Sequence, residues 1–223
     1  MAVLDLPRPA HRLPSSIRCI RRILPTAACG IPARALGDPA VAAWGRAHGI
    51  TVTVCGDDEV EQVGRLGIRP EHVVLRCGPS TATIGNAVGA GVVRFIVATD
   101  RHVDVLAGTG RPGIGVYLDE QGPGVIGERR IDVIGLHADV DDSDGALEWG
   151  VAAERMLCRM SVLRTCGLAL ARMSLAGGDA GAWVYGAGVT SRAAATAVDD
   201  ALTEGCARWR LPRPAVLLGP RVA

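Results

Sequence analysis

A single cation interrupts the apolar run IPARAL, in which Arg34 stands among isoleucine, proline, alanine and leucine. Burying an unpaired charge costs several kcal/mol, so an arginine inside a strand normally has a partner or a ligand. The alternative is that Arg34 lies at the end of the strand and points to solvent. A guanidinium stays protonated, and therefore Arg34 cannot form a Schiff base as a lysine amine would.

A second group of chemical side chains lies in GLHADVDD, where His137, Asp139 and Asp141 fall on one face of a strand by its period of two. One imidazole and two carboxylates could ligate a metal ion. The alternative is a polar strand end that runs into a helix cap at Asp142 and Ser143.

The segment SLAGGDAG, residues 174–181, is a glycine loop whose backbone amides could hold a phosphate or another small anion. Arg221, in the C-terminal GPRVA, would be a suitable side-chain partner. Asp179 inside the loop would repel an anion, and the alternative is a tight turn. The candidate binding glycines are Gly177, Gly178 and Gly181.

Short β-branched runs alternate with longer helical stretches along the chain, which is typical of parallel βα units. The candidate strands are GIPARAL, ITVTVCG, HVVLRCG, RFIVATD, GIGVYLD, IDVIGLHADV, ARMSLAGG and AVLLGPRV. Helices are predicted over 15–24, 38–48, 57–66, 80–89, 101–107, 144–165 and 191–209. The gap EQGPGVIGERR, between the fifth and sixth strands, is too short and too glycine-rich for an ordinary helix.

Eight parallel strands in this length predict a single-domain α/β protein with a (β/α)8 TIM-like barrel, and an open doubly wound sheet is the alternative. In a barrel, the chemistry belongs at the carboxyl ends of the strands, where all the candidate residues above fall. Residues 1–14, rich in proline and arginine, are predicted to form an N-terminal tail, and residues 15–223 the barrel domain.

Composition argues against several classes of protein. The formal net charge is +1 and no basic stripe is interleaved with aromatic residues, so nucleic acid is not expected as a partner. No apolar run reaches the roughly 18 residues of a membrane span, so we expect a soluble protein. The seven cysteines are scattered without a C-x-x-C pair, as expected for buried thiols in a reducing cytoplasm rather than for a zinc site. All 24 basic residues are arginine, and the chain contains no lysine.

The order of these segments resembles the barrel domain of the fold-type III pyridoxal-phosphate decarboxylases, such as the diaminopimelate and ornithine decarboxylases, with their alanine racemase-like barrel. The block DDEVEQVGRLGIRPEHVVLRCG carries the resemblance, together with GLHADV, which is similar to the family's GLHCHIGS. The similarity runs from about Ser15 to the end. In that family the first strand reads roughly Y-A-x-K-A, and its lysine binds the cofactor. The same place here is IPARA, so Arg34 stands at the lysine position.

The resemblance implies further departures from the family's site. Asp139 stands where the family has the histidine that stacks on the pyridine ring, and it offers no aromatic face. The family's eighth strand ends E-P-G-R, whereas this chain reads GPR, so Gly219 supplies no carboxylate while Arg221 remains as the phosphate ligand. The family's C-terminal β-domain is expected to be absent from this chain, as is the substrate-side loop before strand six.

These departures lead us to expect a diverged homologue that does not carry out lysine-dependent decarboxylation. It would act as a binding or regulatory partner, either as a homodimer or as a heterodimer with a full-length decarboxylase. Two alternatives remain open. One is an enzyme or carrier that holds pyridoxal phosphate non-covalently through the glycine loop and Arg221. The other is a barrel enzyme with a new, metal-assisted site at His137, Asp139 and Asp141.

Overall fold

The computed structural model describes residues 14–120, 122, 130–141, 143 and 145–222. Eight parallel strands pair in chain order, and the last pairs with the first to close a barrel. The strands are β1 (Ala28–Pro32), β2 (Thr51–Val54), β3 (Val73–Arg76), β4 (Arg94–Val97), β5 (Gly115–Asp119), β6 (Asp132–Val140), β7 (Arg172–Gly177) and β8 (Ala215–Gly219). The predicted single-domain (β/α)8 barrel is therefore confirmed, and the open sheet is excluded.

Helices cover the outside of the barrel between these strands. They are α1 (Ser15–Ile23), α2 (Pro39–His48), α3 (Asp57–Arg65), α4 (Thr81–Gly89), α5 (Asp100–Gly108), α6 (Ala146–Thr165), α7 (Ala180–Tyr185) and α8 (Val189–Trp209). Among these described helices, none is long and apolar enough to cross a membrane. The predicted N-terminal tail lies outside the described residues except for Pro14, as does most of the gap between β5 and β6.

Strand alternation sorts the apolar side chains into two layers. On β3, for example, Val73 and Leu75 belong to the large cluster that packs between barrel and helices. The residue between them, Val74, belongs to a separate buried cluster with Ile96 and Tyr117. Because neighbouring residues of a strand point to opposite faces, this second cluster fills the barrel lumen. The lumen is therefore packed in its middle, which leaves its carboxyl end for a site.

The structure differs from the sequence predictions in two local details. The first strand ends at Pro32, so its predicted extent was too long. Arg34 follows in a 3-10 turn, Ala33–Gly37, where it is exposed, as the alternative of a solvent-facing arginine at the strand's end predicts. The loop after β7 contains the short helix α7, which periodicity did not indicate because only six residues form it. Asp179 precedes that helix, and its side chain accepts a hydrogen bond from the Ala182 amide.

Gly205 on α8 tests how tightly α6 and α8 pack together. A Cβ at Gly205 would lie 2.6 Å from Cδ1 of Leu157, which is fully buried on α6. Gly85 on α4 is the matched control, because it is exposed and a Cβ there would meet nothing within 4 Å. We expect Gly205→Ala to lower the free energy of unfolding by about 1–3 kcal/mol through overpacking. Gly85→Ala should raise it by up to about 1 kcal/mol through helix propensity.

Urea unfolding followed by circular dichroism measures both variants. A Gly205→Ala variant as stable as Gly85→Ala would show that the two helices have room to separate.

Candidate functional site

Polar side chains gather where the lumen opens at the carboxyl ends of the strands. Arg76 is the last residue of β3, His137 and Asp139 lie near the end of β6, and Ser174 lies on β7. Arg76, His137 and Ser174 line a narrow cleft with a cavity volume of about 20 Å³. Its other walls are formed by residues with small or apolar side chains and by Thr53; among them are Gly30, Ile96, Ala176, Leu217 and Gly219. The barrel mouth is thus a partly apolar cleft with a few convergent polar groups, as is common for ligand sites.

Arg76 and Asp139 form a two-pronged ion pair across this mouth. Nη1 of Arg76 donates to Oδ1 of Asp139 at 2.9 Å, and Nη2 donates to Oδ2 at 2.5 Å. The two side chains are 27% and 31% exposed, so water screens the pair less than it would on the surface. Bidentate arginine–carboxylate pairs combine charge with fixed geometry, so this contact holds β3 to β6 and occupies both carboxylate oxygens.

His137 is anchored on one side of its ring and unmatched on the other. Its Nδ1 lies 3.0 Å from the Ser174 hydroxyl oxygen, within hydrogen-bond distance. Nε2 lies 3.5 Å from Oδ1 of Asp139 and, among the described residues, has no hydrogen-bond partner although the side chain is only 3% exposed. A buried polar atom left in this state costs about 1–3 kcal/mol. His137 therefore carries an unsatisfied nitrogen at the cleft wall.

The contacts at the mouth determine the ionisation of Asp139. Burial alone would raise the pKa of its carboxyl, but the polar contact with His137 and the paired Arg76 guanidinium outweigh burial and hold the pKa well below its usual range. The hydrogen bonds that Arg76 donates to Asp139 raise the pKa of the Arg76 guanidinium. The pair is therefore fully ionised at neutral pH.

Cys55 follows β2 at the same end of the barrel. Burial raises the pKa of its thiol to about 11, and the charge of Glu59 acts in the same direction. The thiolate is the reactive form of cysteine, so this thiol is not poised as a nucleophile at neutral pH.

The proposed metal trio does not assemble. Asp139 is engaged by Arg76, and Asp141 lies beyond the end of β6, exposed, with its Oδ1 accepting a hydrogen bond from the Ser143 amide at 3.3 Å. Among the described residues, no group of three histidine, cysteine, aspartate or glutamate side chains could hold a metal ion. His137 and Asp139 are neighbours, whereas the Asp141 side chain is hydrogen-bonded within a local turn.

The glycine loop after β7 is a tight turn leading into α7. Gly177 has no room for a side chain, because a Cβ there would lie 2.9 Å from Trp149 and 3.0 Å from Val140. Gly178 has φ +74°, and its carbonyl accepts a hydrogen bond from the Arg221 amide at 3.2 Å. Oδ2 of Asp179 accepts a hydrogen bond from the Ala182 amide at 2.9 Å. This amide at the start of α7 is therefore already bonded to a carboxylate of the chain.

The remaining predicted residues, Arg221, Gly181 and Arg34, are not among the described residues that line the cleft. Arg221 is exposed, and its Nη2 donates to the Val140 carbonyl at 2.5 Å. Gly181 lies in the first turn of α7, where a Cβ would be 2.8 Å from Oδ2 of Asp179. The fold thus brings Arg221 to Gly178 through the backbone, and His137 to Asp139. Arg34 does not line the cleft, although its charge reaches Cys55 at the same end of the barrel.

Sequence reasoning missed Arg76 and Ser174. The signal for Arg76 was present, because HVVLRCG also ends an apolar strand with a cation. The argument that a partly buried cation needs a partner applies to Arg76, which has one, and not to exposed Arg34. Ser174 gave no signal, since a lone serine in an apolar strand is common.

No protein-family model and no curated protein sequence matches the chain. Solved structures do match: lysine/ornithine decarboxylase from Vibrio vulnificus, complexed with putrescine, aligns over 92% of this chain with a TM-score of 0.73 at 18% identity. The chain has the barrel fold of these decarboxylases. Diaminopimelate decarboxylase from M. jannaschii aligns over the same share with a TM-score of 0.74 at 12% identity.

A third neighbour is the arginine decarboxylase of Paramecium bursaria Chlorella virus, with a TM-score of 0.73, 13% identity and 92% of this chain covered. Identities this low establish the fold alone. The chain spans 59%, 57% and 60% of the lengths of these three decarboxylase chains. The expected resemblance to the decarboxylase barrel is confirmed.

Asp179 is expected to stabilise α7 as its N-terminal cap. Asp179→Ala should lower the free energy of unfolding by about 1 kcal/mol, since an orphaned amide at Ala182 replaces the hydrogen bond. Asp179→Ser keeps a capping oxygen and should lower the free energy of unfolding by only a few tenths of a kcal/mol. Urea unfolding measures the free energy of unfolding of both variants. If Asp179→Ala were more stable than the wild type, the Asp179 carboxylate would be destabilising through charge repulsion rather than stabilising as a cap.

The Arg76–Asp139 pair should make stability depend on pH. Asp139→Asn should lower the free energy of unfolding at pH 7 by about 1–3 kcal/mol, between the values for surface and buried pairs. Because the folded pKa of Asp139 is depressed, its contribution is fully present above the unfolded value near 4 and is lost as the pH falls toward the folded pKa.

Urea unfolding at pH 7, 5 and 3 measures the difference between the wild type and Asp139→Asn, which should be constant down to pH 5 and shrink at pH 3. Glu154→Gln is the matched control, because Glu154 pairs with Arg208 at the surface and its loss should cost less than about 1 kcal/mol. A difference for Asp139→Asn that stays the same at pH 3 would contradict the assignment.

Proposed function

We propose that this chain is a diverged homologue of the pyridoxal-phosphate decarboxylases that binds a ligand at its barrel mouth and does not carry out lysine-dependent decarboxylation. The observation that carries the proposal is the Arg76–Asp139 ion pair across that mouth. Asp139 stands where the resemblance expects a ring-stacking histidine, and its carboxylate is committed to a guanidinium. An ion pair at this place offers a flat aromatic ring no face on which to stack.

The described residues do not fit the covalently bound cofactor. The whole chain lacks lysine, and Arg34 is exposed outside the cleft lining. At the position of the expected pyridine partner, a Cβ on Gly219 would lie 3.3 Å from both the Cα and the carbonyl oxygen of Gly30. A glutamate there would therefore need the β1 and β8 backbones to give way.

Non-covalent binding of pyridoxal phosphate is the second candidate, and the link between Arg221 and Gly178 favours it. That link holds an arginine beside the glycine turn. Two contacts oppose phosphate binding. The Asp179 carboxylate accepts a hydrogen bond from the Ala182 amide, and Nη2 of Arg221 already donates one to the Val140 carbonyl. A phosphate would have to compete with both contacts.

The proposal extends to partner and compartment. Since the family that the chain resembles uses its barrel in forming dimers, we propose a second copy or a full-length decarboxylase as the protein partner. All seven cysteines are free, which supports placing the protein in the reducing cytoplasm.

Borohydride trapping tests the proposal. With pyridoxal phosphate added, the wild type should show no absorbance band of an internal aldimine, and reduction should attach no cofactor to a side chain. Arg34→Lys should not decarboxylate diaminopimelate or ornithine, because the stacking and pyridine partners are absent as well. Arg65→Lys is the matched control, since Arg65 is also exposed and any surface lysine traps some cofactor.

Trapping in Arg34→Lys that clearly exceeds the control, or turnover of either amino acid, would overturn the proposed function.

A further inference from the structure

We propose that the barrel mouth binds a small aliphatic monocarboxylate on the guanidinium fork of Arg76, with Asp139 passing from Arg76 to Nε2 of His137. This inference rests on the proposed binding function. It identifies the class of ligand and a two-position switch at the same site. The starting observation is the buried Nε2 of His137, which has no hydrogen-bond partner among the described residues.

The imidazole cannot relieve this defect by turning. Its Nδ1 is held by the Ser174 hydroxyl at 3.0 Å, and both residues are buried, with exposures of 2% for His137 and 3% for Ser174. A ring flip would exchange one unsatisfied nitrogen for the other. The unmatched atom therefore stays at the wall of the cleft, facing Asp139.

Asp139 has two competing partners. Its Oδ1 lies 3.5 Å from Nε2, and hydrogen bonds of this kind form at about 2.7–3.2 Å, so a shift of well under 1 Å would complete the contact. That shift loosens the fork, because both oxygens of Asp139 are bonded to Arg76. The carboxylate can satisfy the guanidinium or the imidazole fully, but not both.

A carboxylate ligand resolves this competition. It matches the planar, two-pronged geometry of the Arg76 fork as Asp139 does, and it frees Asp139 to bond to His137. The Arg76 fork and Nε2 of His137 then both have a partner. A neutral ligand such as an amide has no pair of anionic oxygens and cannot replace Asp139 in this way.

The walls of the cleft limit the rest of the ligand. Ile96, Ala176 and Leu217 are apolar, while Gly30 and Gly219 carry no side chain. The cavity itself measures only about 20 Å³, so the ligand's chain must be short and must extend toward the open mouth. The structure thus favours a short-chain monocarboxylate over a large or highly charged anion.

Titration of the full chain with sodium propionate at constant ionic strength tests the proposal, with propionamide and inorganic phosphate as comparison probes. We expect weak, saturable binding of propionate, no binding of propionamide, and weaker binding of phosphate. Asp139→Asn, which removes the competing charge, should bind propionate about tenfold more tightly, and Arg76→Lys about tenfold more weakly. Arg65→Gln is the surface control and should bind as the wild type does.

The ¹⁵N shift of His137 Nε2 provides a readout in the wild type, independent of any variant. It should move on propionate binding as the nitrogen gains Asp139, while the Nδ1 shift stays nearly constant. An unmoved Nε2 signal at saturation, phosphate binding tighter than propionate, or loss of binding in Arg221→Gln but not in Arg76→Lys would overturn the inference. The borohydride result decides the proposed function separately, since it does not depend on propionate.

Discussion

In a closed barrel every strand residue points either to the helices or to the lumen, and the side chains that meet at the mouth are those on the lumen face. On β3 this alternation places Val74 in the lumen and Arg76 one step further toward the mouth. On β6 it brings His137 and Asp139 to the same side. The site is therefore a product of register, because a slip of one residue on either strand would turn its polar groups toward the apolar helix layer.

The Arg76–Asp139 pair is a partly buried ion pair at the barrel mouth. Other arginine–carboxylate pairs, such as Arg155 with Glu120 and Arg208 with Glu154, are more exposed and contribute little. At the mouth, a half-buried carboxylate is stabilised by a neighbouring guanidinium rather than by water. The same contact leaves His137 only partly satisfied, so this ion pair and the unmatched nitrogen lie next to each other at the barrel mouth.

Periodicity was enough to predict the barrel, because parallel strands covered by helices leave long apolar runs such as HVVLRCG. It was not enough to place Arg34, since proline at position 32 ends the strand and a 3-10 turn follows. Nor could it choose between anion repulsion and helix capping for Asp179, which depends on where the next amide points. The pairing of Arg76 with Asp139 joins residues 63 positions apart, and only the closed sheet brings them together.

The seam between β1 and β8 joins the beginning and the end of the described chain, with Ala28 opposite Leu217 and Cys29 opposite Leu218. During synthesis, β1 must wait until residues 215–219 are made before its second neighbour exists. Until then, β1 and β7 present open sheet edges that any other strand could join. Such non-local closure is slow in general. The barrel therefore cannot close before residues 215–219 leave the ribosome, and its two edge strands stay unprotected until then.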